Sequence, residues 1–241
     1  MFENVVRPEA QFATSQDWTD YTAEQHEVWS ILYRRRMTEL ASTASRGFLQ
    51  GAHLIGLGDT VVPDLKSVNE RLAPLTGWSA VPVTGFIPAR EFFRCLARRR
   101  FPTTITVRPR ESLEYVTAPD IFHDVFGHVP LHADPVFADF LQRFGALAAD
   151  AVDEEDVTRM AQLFWFTVEF GLVREDAEIK IYGSGLISSS ADAANALGPT
   201  CHRRPFGLEA VMSQAFEIDR LQDVLFVVES FDQLFEAIQS V

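Results

Sequence analysis

Residues 119–131 read Pro119-Asp120-Ile121-Phe122-His123-Asp124-Val125-Phe126-Gly127-His128-Val129-Pro130-Leu131, two histidines with carboxylates beside them in an otherwise apolar run. A core favours such a run without its polar members, and a metal ion is the partner that two imidazoles and a carboxylate suit best. The spacing sets a condition. An ideal helix turns about 100° per residue, so His123 and His128 would lie on faces about 140° apart. A straight helix could not offer both to one ion. Gly127 is expected to take a left-handed conformation that ends the helix and swings His128 back, and Pro130 forbids simple continuation. The competing reading is a pair of hydrogen-bonded core histidines.

Composition narrows the class. The chain has 241 residues, 47% of them hydrophobic, enough for a sizeable core. With 21 basic against 34 acidic residues, the net charge of -13 argues against nucleic acid as a partner. The triplets Arg34–Arg36 and Arg98–Arg100 read as solvated helix faces or acid-pairing sites. Two cysteines cannot supply a disulfide framework, the N-terminus lacks a signal-peptide pattern, and no apolar run reaches the ~18 residues that span a bilayer. A cytoplasmic protein without a membrane partner is expected. Twenty phenylalanines suggest a core or site lined with rings.

Outward from the motif, the patterning is mostly helical. Residues 1–16 read as an N-terminal arm and 17–241 as one domain, without repeats or linkers. Helices are expected from Thr22 to about Leu40, Ser45 to Ile55, Pro63 to Leu72 with Pro63 near the first turn, Pro88 to Arg99, Pro135 to Ala149, Val157 to about Leu172, and Phe231 to Ile238. Extended segments are expected over Trp78–Phe86, Pro102–Pro109 (the clearest strand), Ile179–Tyr182 and Val224–Val228. Tyr115–Pro119 approaches the histidine motif, and Gly183–Ser189 reads as a tight loop. The fold class is mainly α, a single helical domain with a few short peripheral strands.

Glu169 decides how the motif is read. It is the only charged residue between Arg159 and Arg174, inside the aromatic run Leu163-Phe164-Trp165-Phe166-Thr167-Val168-Glu169-Phe170. Burying a lone carboxylate there costs several kcal/mol unless a cation or strong donors meet it. The alternative is a buried Glu bonded to backbone or an Arg. With His123 and His128 it completes two His and one carboxylate, the facial triad of non-haem iron(II), which leaves positions open for water, oxygen and substrate. Zinc hydrolases use the same ligand set. Crowded rings and a shortage of polar transition-state stabilisers favour iron.

PDIFHDVFGHVPL, FWFTVEFGL and YGSGLISS together resemble the pterin-dependent aromatic amino acid hydroxylases, most closely their bacterial phenylalanine-hydroxylating members. DWTDYTAEQHEVW, TGWSAVPVTGFIPAREFF, RRRFPTTITVR and VLFVVESFDQLFEA extend the likeness over roughly residues 17–238. The resemblance implies a helical catalytic domain in which His123, His128 and Glu169 hold Fe(II), while tetrahydropterin and dioxygen serve as co-substrates for hydroxylating the ring of L-phenylalanine. It places Arg108, read as ending a strand, on the substrate carboxylate. Pro119, Trp165, Phe170, Gly185 and Ser188 fall in the substrate pocket, with Ile87, Ala89, Phe92 and Asp124 at the pterin. Asp124 sits where animal enzymes carry Glu and could also orient a ligand.

Several positions depart from the family pattern. Ala118 stands where Glu is frequent, Phe164 and Phe216 where Tyr is frequent, and Ser213–Asp219 matches loosely. Ile218 lies where tyrosine hydroxylases place an acid, which favours a substrate without a ring hydroxyl; Trp165 favours phenylalanine or tyrosine over tryptophan. A hydroxylase of tyrosine, tryptophan or the meta position, a zinc hydrolase, and an inactive phenylalanine-binding relative are the alternatives. The family's regulatory and tetramerising segments are not expected, so a monomer is.

Overall fold

Capping chemistry sets the helix boundaries in the computed structural model, which describes residues 12–113 and 118–241. Helix α1 (Ala23–Thr43) opens with a reciprocal capping box between Thr22 and Gln25. Ser45 caps α2 (Arg46–Leu54). Asp64 caps α3 (Leu65–Thr76), so Pro63 stands outside that helix, which runs past Leu72 to Gly77 at φ 77°. A left-handed residue suited to glycine makes the stop.

Strands β1 (Ser79–Val83) and β2 (Arg100–Thr104) pair in parallel around α4 (Ala89–Leu96). The strand expected over Pro102–Pro109 therefore begins earlier and ends at Thr104. Beyond it, Ile105 O accepts from the Tyr21 hydroxyl (2.6 Å), Thr106 O from Ile121 N–H (2.8 Å), and Arg108 N–H donates to Asp120 (3.1 Å). Partners outside the ladder have taken its backbone groups.

Asp134 caps α5 (Pro135–Asp150) and Asp153 caps α6 (Glu154–Phe164). The helix expected to continue to Leu172 changes winding at Trp165 and gives way to β3 (Leu172–Glu175). Then follow β4 (Glu178–Ile181), α7 (Ser184–Ser188), α8 (Ser190–Leu197), β5 (His202–Pro205), α9 (Leu208–Met212), β6 (Val224–Val228) and α10 (Phe231–Ile238). The sheet order is β4-β3-β6-β5, antiparallel only between β3 and β4. Gly183–Ser189, read as a loop, holds helix α7, closed by Ile187 N–H to Gly183 O (2.9 Å) and Ser189 N–H to Gly185 O (3.1 Å).

Arg36 corrects the solvated reading of its triplet. It is buried and donates to the carbonyls of Ile187 (2.8 Å) and Leu186 (2.9 Å) at the C-terminal end of α7, where a cation suits the exposed carbonyls. Arg34 pairs with Asp59 at 2.6 Å as expected. The core is built from rings: Phe122 stacks on Phe126 (4.6 Å), and Trp29 meets Phe122 edge-on (5.5 Å). The architecture is mainly helical with short strands, as expected. No helix of the described residues is long and apolar enough to cross a membrane.

Candidate metal centre

Two turns of π-helix bring the donors together. Phe122–His128 is wound as a π-helix, whose i→i+5 hydrogen bonds bring His128 to the same side as His123, the two rings meeting edge-on at 5.0 Å. Gly127 is not in a left-handed conformation; positive φ among glycines is confined to Gly56, Gly77 and Gly85 within the described residues. Its small size serves another purpose, because an added Cβ would lie 3.1 Å from Ser184 O and 3.3 Å from Ser184 Cβ. A second π-turn, Trp165–Glu169, closes with Phe170 N–H to Trp165 O at 2.9 Å and turns Glu169 inward.

His123 Nε2 lies 3.3 Å from His128 Nε2, and Glu169 Oε1 lies 3.2 Å from His128 Nε2. Glu169 Oε2 is 3.7 Å from His123 Nε2. Donors each bound at about 2.0–2.2 Å at right angles to one another would stand about 3 Å apart, so these side chains fit an ion with small adjustments. Among the described residues they are the one group of three potential donors found close enough together to hold a metal.

Hydrogen bonds orient two of the three potential ligands. Ser188 Oγ–H donates to Ser184 O (2.8 Å), so its oxygen accepts from His123 Nδ1–H (2.9 Å) and leaves Nε2 bare for a metal. Ser184 Oγ–H donates to Glu169 Oε2 (2.7 Å). Burial by itself would raise the Glu169 pKa, but His128, His123 and the Ser184 hydroxyl hold it down at about 2. The carboxylate is therefore ionised.

A cavity of about 650 Å³ opens beside the triad. Its lining includes His123, His128 and Glu169 together with all four residues expected at the pterin, Ile87, Ala89, Phe92 and Asp124, and also Pro119. Phe164 meets Phe92 edge-on (5.6 Å) and lies stacked toward His128 (6.5 Å). Asp124 Oδ2 accepts from Thr104 N–H (2.7 Å) and Oγ1–H (2.8 Å). Burial pushes its pKa up to about 6, against opposing pulls from His123 and Thr104.

The other residues expected in the substrate pocket lie outside that lining. Arg108 does not end a strand. It is buried against Asp120 in a two-bond pair (Nε–Oδ2 and Nη2–Oδ1, both 2.8 Å), over the Phe122 ring at 5.5 Å. Asp120, which sequence reasoning passed over, also accepts from His123 N–H (3.0 Å) and so ties Arg108 to the metal motif. Trp165 packs on Phe170 (4.7 Å) and Phe216 (4.5 Å). A Cβ on Gly185 would lie 3.0 Å from Phe170 Cζ. Arg108, Trp165, Phe170, Gly185 and Ser188 are not among the residues lining the large cavity. Tyr115, at the start of the expected approach segment, lies outside the described residues.

A two-histidine, one-carboxylate cluster at the wall of a cavity in a helical domain defines a mononuclear metal enzyme with coordination positions left for exogenous ligands. Comparison sharpens that class. Residues 10–241 match the profile of the biopterin-dependent aromatic amino acid hydroxylases. A phenylalanine-4-hydroxylase of Mesorhizobium japonicum is 42% identical over 233 residues, covering 96% of this chain and 84% of that protein. The structure of Chromobacterium violaceum phenylalanine hydroxylase with bound Fe(III) superposes with a TM-score of 0.92 at 40% identity, over 95% of this chain and 83% of that one. The same relative with iron(III) and 7,8-dihydrobiopterin gives 0.91 at 40% identity, over 95% and 84%. The chain belongs to the biopterin-dependent aromatic amino acid hydroxylases. That membership does not favour the zinc hydrolase or the inactive relative.

Proposed function

We propose that the protein converts L-phenylalanine to L-tyrosine, with ferrous iron held by His123, His128 and Glu169 and a tetrahydropterin co-substrate in the adjoining cavity. The observation that carries this reading is the convergence of three donor atoms at the wall of a cavity lined by Ile87, Ala89, Phe92 and Asp124. Relatives named phenylalanine-4-hydroxylase support the choice of substrate. When bound, iron and tetrahydropterin activate dioxygen, one atom of which enters the aromatic ring.

The chain's own residues bind, orient and exclude water. Phe92 offers a ring face to the pterin, and Ile87 and Ala89 flank it; Asp124, braced on Thr104, borders the same space. Among the described residues, Arg108 engages three of its five N–H groups with Asp120 and Leu113 O, and the remaining outer hydrogens suit a substrate carboxylate. Pro119, Trp165 and Phe170 supply the apolar slot for the phenyl ring, and Gly185 leaves the Phe170 ring its room. Ser188 keeps the His123 proton on Nδ1.

The test is to reconstitute metal-free protein with ferrous iron, add tetrahydropterin, oxygen and phenylalanine, and identify the product. Tyrosine formed with iron and not with zinc supports the reading. Phenylalanine bound without product, or turnover with zinc alone, overturns it.

Residues 17–241 are proposed to form one catalytic domain and residues 1–16 an arm. Thr14 N–H bonds Pro82 O and Thr84 N–H bonds Phe12 O, both at 3.1 Å, which supports an arm laid along β1; residues 1–11 lie outside the described residues. A monomer in the cytoplasm completes the reading; for the compartment, two cysteines, too few for a disulfide framework, are what supports it. A light-scattering mass near 27.1 kDa is expected, and a tetramer would contradict it.

A further inference from the structure

Helix α7 is five residues long, too short to be stable by itself, yet two of its hydroxyls reach the metal ligands. Ser184 Oγ–H donates to Glu169 Oε2 (2.7 Å), and Ser188 Oγ accepts from His123 Nδ1–H (2.9 Å). An α-helix leaves its last four carbonyls without partners of its own, and in a helix this short those are most of the carbonyls it has. The groups that meet them decide where the two hydroxyls stand.

Arg36, on α1, meets two of them. Its Nε–H donates to Ile187 O (2.8 Å) and an Nη2–H to Leu186 O (2.9 Å), so one rigid edge of the guanidinium bridges consecutive carbonyls. Its Nη1 donates to the Glu39 carboxylate and to Ser190 Oγ (3.1 Å), at the start of α8. Ser190 Oγ–H in turn donates to Glu39 Oε1 (3.2 Å). Arg36 is 3% exposed, and burying a charge is costly. An apolar side chain at this place on α1 would avoid that cost and leave the carbonyls of Leu186 and Ile187 unpaired.

We infer that Arg36 is a positioning residue for the metal centre: it fixes α7 and, through it, holds the hydroxyls of Ser184 and Ser188 against Glu169 and His123. The opposite side of α7 is already set, because Gly127, between the two histidines, packs on Ser184. Without Arg36 the end of α7 that carries Ser188 loses its anchor on α1. His123 then loses the acceptor that keeps its proton on Nδ1.

The inference rests on the metal-centre reading, and cobalt(II) binding to the full-length chain tests it without turnover. Cobalt affinity and the visible spectrum of the bound ion are measured for Arg36→Met and Arg36→Lys, in the wild type and in a Ser184→Ala, Ser188→Ala background. Arg36→Met is expected to weaken cobalt binding about tenfold, the low end of what a partner behind a ligand contributes, and to shift the spectrum. Arg36→Lys keeps the charge without the two-pronged geometry and is expected to lose less, with unchanged circular dichroism. With both serines replaced, either substitution is expected to change affinity by less than about twofold, because its route to the metal is gone. An equal loss in both backgrounds shows that Arg36 supports the fold and not the ligands, and overturns the inference. Wild-type affinity and spectrum in a folded Arg36→Lys protein overturn it too, and that variant carries both tests if Arg36→Met does not fold. Cobalt binding unchanged by His123→Ala and by Glu169→Ala overturns the metal-centre reading, and this inference with it.

Discussion

The hydroxyl of Ser188 stands 2.9 Å from Nδ1 of His123, and because its own hydrogen goes to Ser184 O, it accepts the imidazole proton. Partners of this kind behind a metal-bound His are typically worth about 10–100-fold in metal affinity or activity. Ser188→Ala should weaken iron binding by that factor, measured by competition with a chelator. Unchanged affinity would show that the hydrogen bond does not orient His123.

Arg108 and Asp120 form a buried pair, with side chains 6% and 5% exposed. Removing one member of such a pair leaves an uncompensated charge and costs about 3–5 kcal/mol. Asp120→Asn should lower stability by that order in urea titration and raise the KM for phenylalanine by displacing the guanidinium. A variant as stable as the wild type would mean that the pair is not isolated from solvent.

Gly51 lets α2 lie against the chain just after His128. A Cβ there would stand 1.9 Å from Pro130 O and 2.6 Å from its carbonyl carbon, both backbone atoms that cannot swing aside. Gly51→Ala should therefore cost at least the ~1–3 kcal/mol typical of overpacking and loosen metal binding through His128. Thermal unfolding with and without iron reads both effects. A Tm within a degree of wild type would contradict the close approach.

His132 is buried, and neither ring nitrogen has a hydrogen-bond partner among the described residues; Trp78 stacks on it at 4.6 Å. Burial, with a smaller push from His128, holds its pKa well below the ordinary imidazole value of 6.5. The folded state therefore resists a proton that the unfolded state accepts. The stability this group contributes is fully present above pH ~6.5 and is lost as pH falls, by up to about 1.4 kcal/mol per pH unit. His132→Phe should flatten that slope, seen as a variant-minus-wild-type difference in urea midpoint that grows between pH 7.5 and 5. A constant difference would sink the assignment.

Much of this was legible from residue types alone. The helix starts near Thr22 and Ser45 were legible because a capping side chain acts within one turn. The triad was legible because a lone Glu169 in an aromatic run needs a cation. The winding that unites the ligands was not, because an i→i+5 turn is chosen by packing against α7, 57 residues beyond Gly127 at Ser184. For the same reason Ser184 read as part of a loop and Asp120 as a mere neighbour of the motif. The strand over Pro102–Pro109 was overextended because β-branched residues report a preference for extended backbone, not whether a ladder partner exists.

The central claim is that His123, His128 and Glu169 together hold the iron. Metal analysis of protein reconstituted with ferrous iron, for the wild type and for His123→Ala, His128→Ala and Glu169→Ala, tests it most directly. About one iron per chain is expected in the wild type, as for a single facial triad, and little in each variant whose fold is intact by circular dichroism. Full iron occupancy retained in all three variants would contradict the account.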